Sequence, residues 1–113
     1  MENNRINYIE FKANDLAKIK EFYGQAFGWT FTDYGPDYIA FSDSGLDGGF
    51  EYTNEKISNG ALVVLYHESL EGIQEKVMKS GGTIVKEIFS FPGGRRFHFT
   101  DPSGNELAIW SDK

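Results

Sequence analysis

The sequence of 113 residues predicts an α+β fold built from two βαβββ modules. Three observations lead to this prediction. Alternating apolar residues mark short strands, two stretches carry apolar residues at helical spacing, and the order of one strand, one helix and three strands occurs twice. One helix cannot cover both faces of a sheet, so we expect a cup-shaped, mixed sheet of roughly eight strands with helices on the convex face. The concave face is then the place to look for function.

The first module is predicted from alternating and helical patterns that follow one another. Residues 6–12 alternate between apolar and polar, which predicts a half-buried strand. A helical pattern starts at residues 14–16, and Gly28 ends it. Three further strand candidates are separated by turn residues. They are residues 29–34, 38–42 and 48–53.

The second module repeats this order. Residues 61–66 predict a strand, residues 70–78 carry a helical face, and three more strands close the chain. A shift by 54 positions places the helix-ending Gly28 on Gly82 (82 − 28 = 54), which favours a duplicated unit. We therefore expect one domain over residues 1–113, with an internal repeat at about 5–54 and 60–111.

The composition argues against several classes of function. The net charge is −6 and no basic cluster is longer than Arg95-Arg96, so neither nucleic acid nor an anionic membrane surface is expected as a partner. The absence of cysteine excludes disulfides, thiolate nucleophiles and cysteine-ligated zinc. The N-terminus lacks a signal-peptide core, and the longest apolar run, residues 61–66, is too short to span a bilayer. We expect a cytoplasmic protein.

Strand phase assigns side chains to the inside of the cup. If Ile9 and Phe11 face the helix, their alternating neighbours point inward, and the same reasoning applies to the equivalent strand of the second module and to the last strand. The inward positions are then Tyr8, Glu10, Lys12, Leu62, Val64, Tyr66, Glu106, Ala108 and Trp110.

Three stretches carry motifs of a known family. They are residues 6–16, the run Phe-Tyr-Gly-Gln-Ala-Phe-Gly-Trp at 22–29, and residues 99–110, in which Asp-Pro-Ser-Gly-Asn precedes the last strand. Together they resemble the vicinal oxygen chelate superfamily, which includes glyoxalase I, extradiol dioxygenases and antibiotic-sequestering proteins. The resemblance implies the duplicated fold described above and a homodimer, in which a second copy completes the cavity.

The same resemblance identifies the positions of metal ligands. Metal-dependent members hold a divalent cation through a His or Gln and a Glu in each half, and these positions fall on Tyr8, Leu62, Ala108 and a residue near Glu51. Leu and Ala donate no ligand, and a divalent site generally needs three or more protein ligands. We therefore expect no metal ligands and no cofactor. The alternative is a divalent metal held by displaced ligands, drawn from Glu10, Glu51, Glu106 and His98.

Three side chains are candidates for acid–base catalysis. Glu10 is a candidate general acid or base or an anchor for a cationic ligand, and the alternative is a carboxylate paired with Lys12 or Arg96. Tyr8 would donate a hydrogen bond to a ligand oxygen. His98 shares a strand face with Arg96 and can transfer protons near neutral pH.

Four side chains are candidates for holding the ligand. Tyr66 and Trp110 offer flat surfaces for an aromatic or planar molecule, or else form a packed aromatic floor or a dimer contact. Arg96 would hold an anionic group. Glu51, near the end of the fourth strand, completes the set.

These residues predict a small-molecule-binding protein without a catalytic metal. It would sequester or transform a small organic ligand in the concave cavity. The first alternative is a metal-dependent enzyme with displaced ligands, similar to a glyoxalase-like lyase or a dioxygenase. The second is a dimerising partner protein with no ligand. The fold by itself does not identify the ligand, because one fold hosts many activities.

Overall fold

Helices and strands follow one another in the predicted order in the computed structural model, which describes residues 2–113. The first module contains β1 (Tyr8–Ala13), α1 (Leu16–Phe27), β2 (Thr30–Asp33), β3 (Tyr38–Ser42) and β4 (Asp47–Tyr52). The second contains β5 (Val63–Tyr66), α2 (Leu70–Lys79), β6 (Thr83–Phe91), β7 (Gly94–Thr100) and β8 (Glu106–Ser111). No helix in this part of the chain is long and apolar enough to cross a membrane.

The ends of α1 are determined by local chemistry, as the sequence predicts. The Asp15 side chain accepts a hydrogen bond from the backbone N–H of Lys18 at 3.1 Å, which caps the first turn. At the other end, Gly28 adopts a left-handed conformation with φ 76°, and its N–H donates to the carbonyl of Gly24 at 3.0 Å. Glycine takes this conformation without steric cost, so the helix stops there.

The eight strands form two four-stranded mixed sheets. The first sheet has the order β1-β4-β3-β2 and the second the order β5-β8-β7-β6. The first strand of each module pairs in parallel with the last, and the other pairs are antiparallel. Since no ladder among residues 2–113 joins the two sheets, β1 and β5 each have one unpaired edge.

One apolar core joins the two modules through their helices. Phe22 and Phe27 of α1 approach Phe99 of β7, with ring centroids 6.0 and 5.9 Å apart. All three belong to, or pack against, one continuous cluster that includes residues of both sheets. Each fully buried side chain of this size contributes about 1.5–3 kcal/mol. The helices therefore lie between the modules, and the opposite face of each sheet is left uncovered within the chain.

The closing turn ties the modules together with hydrogen bonds. The Asp101 carboxylate accepts from the backbone N–H groups of Ser103 and Asn105, at 2.9 and 3.0 Å, and from the Tyr23 hydroxyl of α1 at 2.8 Å. Asn105 Nδ2 also donates to the carbonyl of Lys12 in β1 at 2.8 Å. The Asp-Pro-Ser-Gly-Asn motif is thus a structural junction between β1, α1 and β8.

Candidate functional site

Burial confirms the predicted strand phase in β1. It does not separate the two faces of β8, where Ala108 is as buried as its neighbours, and Leu62 lies outside β5. In β1, Phe11 is buried in the core, whereas Tyr8 is 46% exposed on the other side. In β8, Leu107 and Ile109 are buried, and Trp110 is partly exposed. We call the sheet faces opposite the helices the open faces. The open face of the first sheet includes Tyr8, Glu10, Lys12, Tyr38, Asp47 and Glu51; that of the second includes Val64, Tyr66, Lys86, Phe89, Arg96, His98, Glu106, Ala108 and Trp110.

A chain of hydrogen bonds crosses the open face of the first sheet. The Tyr38 hydroxyl donates to Glu10 Oε1 at 3.1 Å and contacts the Tyr8 hydroxyl at 2.5 Å. Because the single proton of Tyr38 goes to Glu10, Tyr8 is the donor in the second bond. Burial raises the pKa of Tyr38, and its hydrogen bonds to Tyr8 and Glu10 raise it further, so this phenol stays protonated. The lone pairs of Tyr8 remain available to accept a hydrogen bond.

Tyr38 is a further residue of this face that is absent from the residues predicted above. The alternation of Tyr38 and Ala40 with the buried Ile39 and Phe41 in β3 indicates its face in the sequence. The ring lies over Gly49, where a Cβ atom would come within 2.3 Å of the Tyr38 hydroxyl. The absence of a side chain at Gly49 therefore allows Tyr38 to reach Glu10.

The two carboxylates of this face share a positive partner. Lys12 forms an ion pair with Glu51, and its Nζ also lies 4.0 Å from Glu10 Oε2. The hydrogen bond to Glu51 is the main cause that raises the pKa of Lys12. All three side chains are about half exposed, so solvent weakens these attractions. The predicted pairing of Glu10 with Lys12 is present, and Arg96 lies on the other sheet.

His98 and Glu106 form a dyad on the open face of the second sheet. His98 is 8% exposed, and its Nδ1 lies 2.9 Å from Glu106 Oε2. An ionised carboxylate can only accept, so in the neutral ring Nδ1 carries the proton and Nε2 has a free lone pair. Nε2 is buried and has no hydrogen-bond partner among the described residues. The cross-strand neighbours of His98 are Ala108 and Lys86, and the Phe89 ring lies 6.0 Å from the His98 ring.

Arg96 differs sharply from its neighbour Arg95. Arg95 turns toward α2 and pairs with Glu71, at 2.5 Å from Nη1 and 3.2 Å from Nη2. The guanidinium of Arg96 instead lies over the rings of Phe89 and Phe91, 5.3 and 5.7 Å from their centroids. Arg96 Nε is buried without a hydrogen-bond partner, and Arg96 has no ion pair within residues 2–113. Arg96 is thus a positive charge with aromatic neighbours and no counterion in the described part of the chain.

Two irregularities in β6 place Lys86 and Phe89 beside this pair. Lys86 is opposite His98 and Phe89 is opposite Arg96, so a step of three residues on β6 matches a step of two on β7. A second shift lies between Ile84 and Lys86. Such bulges re-aim side chains at the edges of sheets. The alternation rule fails here, which is why the sequence did not indicate Lys86 or Phe89.

Tyr66 and Trp110 contact each other, as their shared face predicts. Their ring centroids are 5.3 Å apart in an edge-to-face arrangement, and Trp110 also approaches Phe91 at 6.5 Å. The Tyr66 hydroxyl donates to Asp112 Oδ1 at 2.7 Å, which raises the pKa of Tyr66 and lowers that of Asp112. Half of Tyr66 remains exposed. The second sheet therefore carries an aromatic band beside Arg96.

The two open faces are separate within one chain. None of the described hydrogen bonds, ion pairs or ring contacts links Tyr8 or Glu10 with Tyr66 or Trp110. A groove of about 800 Å³ does lie between the modules, but its walls are mostly core-facing residues such as Ile9, Phe11, Val63, Leu65 and Ile73. Of the seven predicted site residues, only Tyr66 lines it.

The donor set does not fit a divalent metal. Within residues 2–113, no group of three or more His, Asp or Glu side chains is placed to hold one. The alternative ligands are divided, with Glu10 and Glu51 on the first sheet and His98 and Glu106 on the second. The Glu51 carboxylate is already paired with Lys12.

Comparisons with known proteins agree with the fold. A family model of the Glyoxalase/Bleomycin resistance protein/Dioxygenase superfamily matches residues 5–109. A glyoxalase/bleomycin resistance protein/dioxygenase family enzyme from Burkholderia phytofirmans PsJN superposes with a TM-score of 0.82 at 15% identity, covering 95% of this chain and 98% of that one. A glyoxalase-related enzyme from Fulvimarina pelagi gives a TM-score of 0.81 at 18% identity, covering 96% and 88%.

A third similar structure is that of TnmS3, an antibiotic binding protein from Streptomyces sp. CB03234. Its TM-score is 0.72 at 18% identity, and the alignment covers 98% of each chain. At these identities the likeness establishes the fold alone. Among curated proteins, none matches the sequence.

Proposed function

The chain belongs to the glyoxalase/bleomycin resistance protein/dioxygenase superfamily, and on that premise we propose that it binds a small organic molecule on its open sheet faces without a catalytic metal. Small-molecule binding is consistent with the antibiotic-binding description of the structurally similar TnmS3. The absence of a metal is supported by the donor set, since Leu62 and Ala108 occupy positions where metal-dependent members would need ligands. The proposed ligand-holding residues are Tyr66, Trp110, Arg96 and Glu51.

The observation that carries this proposal is the open face of the second sheet. Arg96 Nε and His98 Nε2 are buried polar atoms without a hydrogen-bond partner in residues 2–113. Each such atom costs about 1–3 kcal/mol if nothing satisfies it. Arg96 is the cross-strand neighbour of Trp110, whose ring contacts Tyr66, and these two partly exposed rings offer flat apolar area. His98 lies two residues further along β7. A ligand with a planar ring and polar substituents would satisfy both requirements.

A second candidate function is acid–base conversion of the bound ligand. It is favoured by the His98–Glu106 dyad, because a carboxylate that fixes one ring nitrogen leaves the other free to take a proton. On the first sheet, Tyr8 and Glu10 are joined through Tyr38 and form a second group able to exchange protons. Sequestration needs only the binding face, whereas conversion needs one of these groups next to the ligand.

We also infer a homodimer in which the open face of the first sheet meets the second sheet of a partner chain. The first face carries three carboxylates, Glu10, Asp47 and Glu51, against Lys12, for a net charge of −2. On the second face, Lys86 and Arg96 balance Glu106 and Asp112, for a net charge of zero with His98 counted as neutral. The two cations of the second face, the carboxylates of the first and the exposed apolar residues on the unpaired edges favour this association. It would bring Tyr8 and Glu10 to Tyr66 and Trp110.

A binding screen tests the proposal. Planar aromatic compounds of neutral, cationic and anionic character are added to the purified protein, and the unfolding midpoint is measured. At least one class should stabilise the protein in a concentration-dependent way. Trp110→Ala should lose most of the shift, while Tyr34→Ala should keep it, because Tyr34 is 65% exposed in the loop after β2.

Two outcomes would contradict the proposal. The first is that no compound of the panel stabilises the wild-type protein. The second concerns the metal and uses nickel, zinc, manganese and iron(II) in the same assay. Stoichiometric binding of any of these, with a large rise in the midpoint, would support the metalloenzyme alternative instead.

A further inference from the structure

We propose that the ligand of the second sheet is an aromatic carboxylate carrying a hydroxyl group, with the carboxylate on Arg96 and the hydroxyl on His98. The inference rests on the proposed function, for which it names the class of ligand. It follows from the hydrogen-bonding character of two side chains whose polar atoms are buried without partners.

The charge of the ligand is inferred from Arg96. Arginine is ionised at any physiological pH, and a partly buried guanidinium normally has a carboxylate beside it. Arg96 has none within residues 2–113, in a chain whose net charge is −6. Lys86 lies on the same face, with its Nζ 4.4 Å from the centroid of Phe89, and adds a second positive charge. Neither cation has an ion pair within residues 2–113, which favours an organic anion as the ligand.

The aromatic part of the ligand is inferred from the rings around Arg96. Phe89 and Phe91 lie under the guanidinium, and the Trp110 ring is 6.5 Å from that of Phe91. Cation–π contacts of this kind contribute about 0.5–2 kcal/mol. A ligand whose carboxylate reaches Arg96 therefore has its ring next to an apolar surface. A short aliphatic acid would leave that surface uncovered.

The hydroxyl group is inferred from His98. Its ring is nine-tenths buried, and Glu106 occupies Nδ1, so the neutral ring presents an acceptor at Nε2. A carboxylate oxygen alone does not satisfy an acceptor, whereas a hydroxyl group does. Arg96 and His98 lie two residues apart on one strand face, which separates their Cα atoms by roughly 6.6 Å. A hydroxybenzoate is large enough to contact two side chains that are such near neighbours, and the meta isomer serves as the probe.

Three small probes test the proposal. Benzoate, 3-hydroxybenzoate and 3-hydroxybenzamide are titrated into the protein, and their dissociation constants are measured by ligand-observed NMR. We expect 3-hydroxybenzoate to bind best and the neutral amide to bind about tenfold more weakly or worse, since it lacks the charge. The affinity of benzoate should be at least about threefold lower than that of 3-hydroxybenzoate.

Two variants distinguish Arg96 from a general effect of charge. Arg96→Gln should weaken both acids about tenfold or more, whereas Arg95→Gln should leave them unchanged within about twofold. The two substitutions remove the same charge from adjacent positions of β7, but Arg95 pairs with Glu71 on the helix side. Equal effects of the two variants would overturn the assignment of Arg96.

A third variant tests His98 separately. His98→Phe keeps a ring of similar size and removes the acceptor, so benzoate and 3-hydroxybenzoate should then bind equally well. A persistent preference for the hydroxylated acid in this variant would overturn the role of His98. Binding of neutral or cationic aromatics in preference to acids would refute the carboxylate inference and leave the proposed function standing. If the wider panel also fails, both proposals fail.

Discussion

Asp101 shows that a motif typical of this family is a structural device in this chain. Its side chain is buried and accepts hydrogen bonds from Ser103, from the backbone and side chain of Asn105, and from Tyr23. Burial raises the pKa of Asp101 above its ordinary value of 3.8, although these hydrogen bonds lower it in part. This buried carboxyl joins the two modules, because it binds Tyr23 of α1 and Asn105 before β8.

The first prediction concerns Asp101→Asn. The amide nitrogen would face the Nδ2 group of Asn105, which is also a donor, so we expect a loss of about 1–3 kcal/mol in the free energy of unfolding. Urea denaturation at neutral pH measures this loss, and an unchanged midpoint would show that the turn does not depend on the carboxylate.

A second prediction concerns how the stability difference between wild type and Asp101→Asn depends on pH. A raised pKa means that the folded protein binds the proton more tightly than the unfolded chain does. The contribution of Asp101 to stability is therefore complete below pH 3.8 and declines as the pH rises through the raised value. The difference in unfolding free energy between wild type and Asp101→Asn should become smaller over this range. A constant difference would contradict the raised pKa.

At the scale of single elements, β4 depends on two adjacent glycines that serve different purposes. A Cβ atom at Gly48 would lie 2.2 Å from the backbone carbonyl oxygen of Ile9 and 2.3 Å from the Phe41 ring. The three atoms nearest to a Cβ atom at Gly49 all belong to the Tyr38 side chain, on the open face. Gly48 thus permits the β1–β4 pairing in the core, and Gly49 permits the Tyr38 position.

We expect Gly48→Ala to be much more harmful to folding than Gly49→Ala. The first should destabilise the protein by about 3 kcal/mol or more, since neither a paired backbone nor a buried ring can move away. The second should cost about 1 kcal/mol, because the partly exposed Tyr38 can rotate, and it should break the hydrogen bond to Glu10. Chemical denaturation of both variants measures the contrast, and equal losses would contradict it.

The bulges of β6 have a similar local effect on the second sheet. They allow Ile84 and Ile88 to pack against the core while Lys86 and Phe89 lie over His98 and Arg96. In a regular strand side chains alternate between the two faces, so Ile84, Lys86 and Ile88 would all lie on one face and Phe89 on the other. The edge strand is thus adapted to the site.

At the scale of the whole molecule, β1 and β5 each leave one edge without a partner strand within residues 2–113. Tyr8, Val64 and Tyr66 are between 43% and 50% exposed along these edges. Unprotected edges with apolar side chains favour pairing with another chain. A second copy would cover them and unite the two halves of the proposed site.

Val64→Glu tests this association. A carboxylate on the unpaired edge should convert a dimer into a monomer, because it would be desolvated against the acidic first-sheet face of the partner chain and repelled by it. Val85→Glu is the matched control, since Val85 is 49% exposed on β6 at the opposite edge of the same sheet. Size-exclusion chromatography with light scattering gives the masses. A wild-type monomer, or a dimer unaffected by Val64→Glu, would contradict the inferred arrangement.

The sequence by itself determined the two βαβββ modules, the helix ends at Asp15 and Gly28, and the faces of Tyr8, Glu10, Arg96, His98 and Trp110. These features depend on local backbone preferences and on side-chain periodicity, which are written along the chain. Only the tertiary structure decided which of these residues meet. The division into two sheets, the reach of Tyr38 across Gly49 and the bulges that bring Phe89 to Arg96 depend on strand register and on contacts between distant residues. Periodicity carries no information about such contacts, because it gives the face of a side chain but not its neighbour on the next strand.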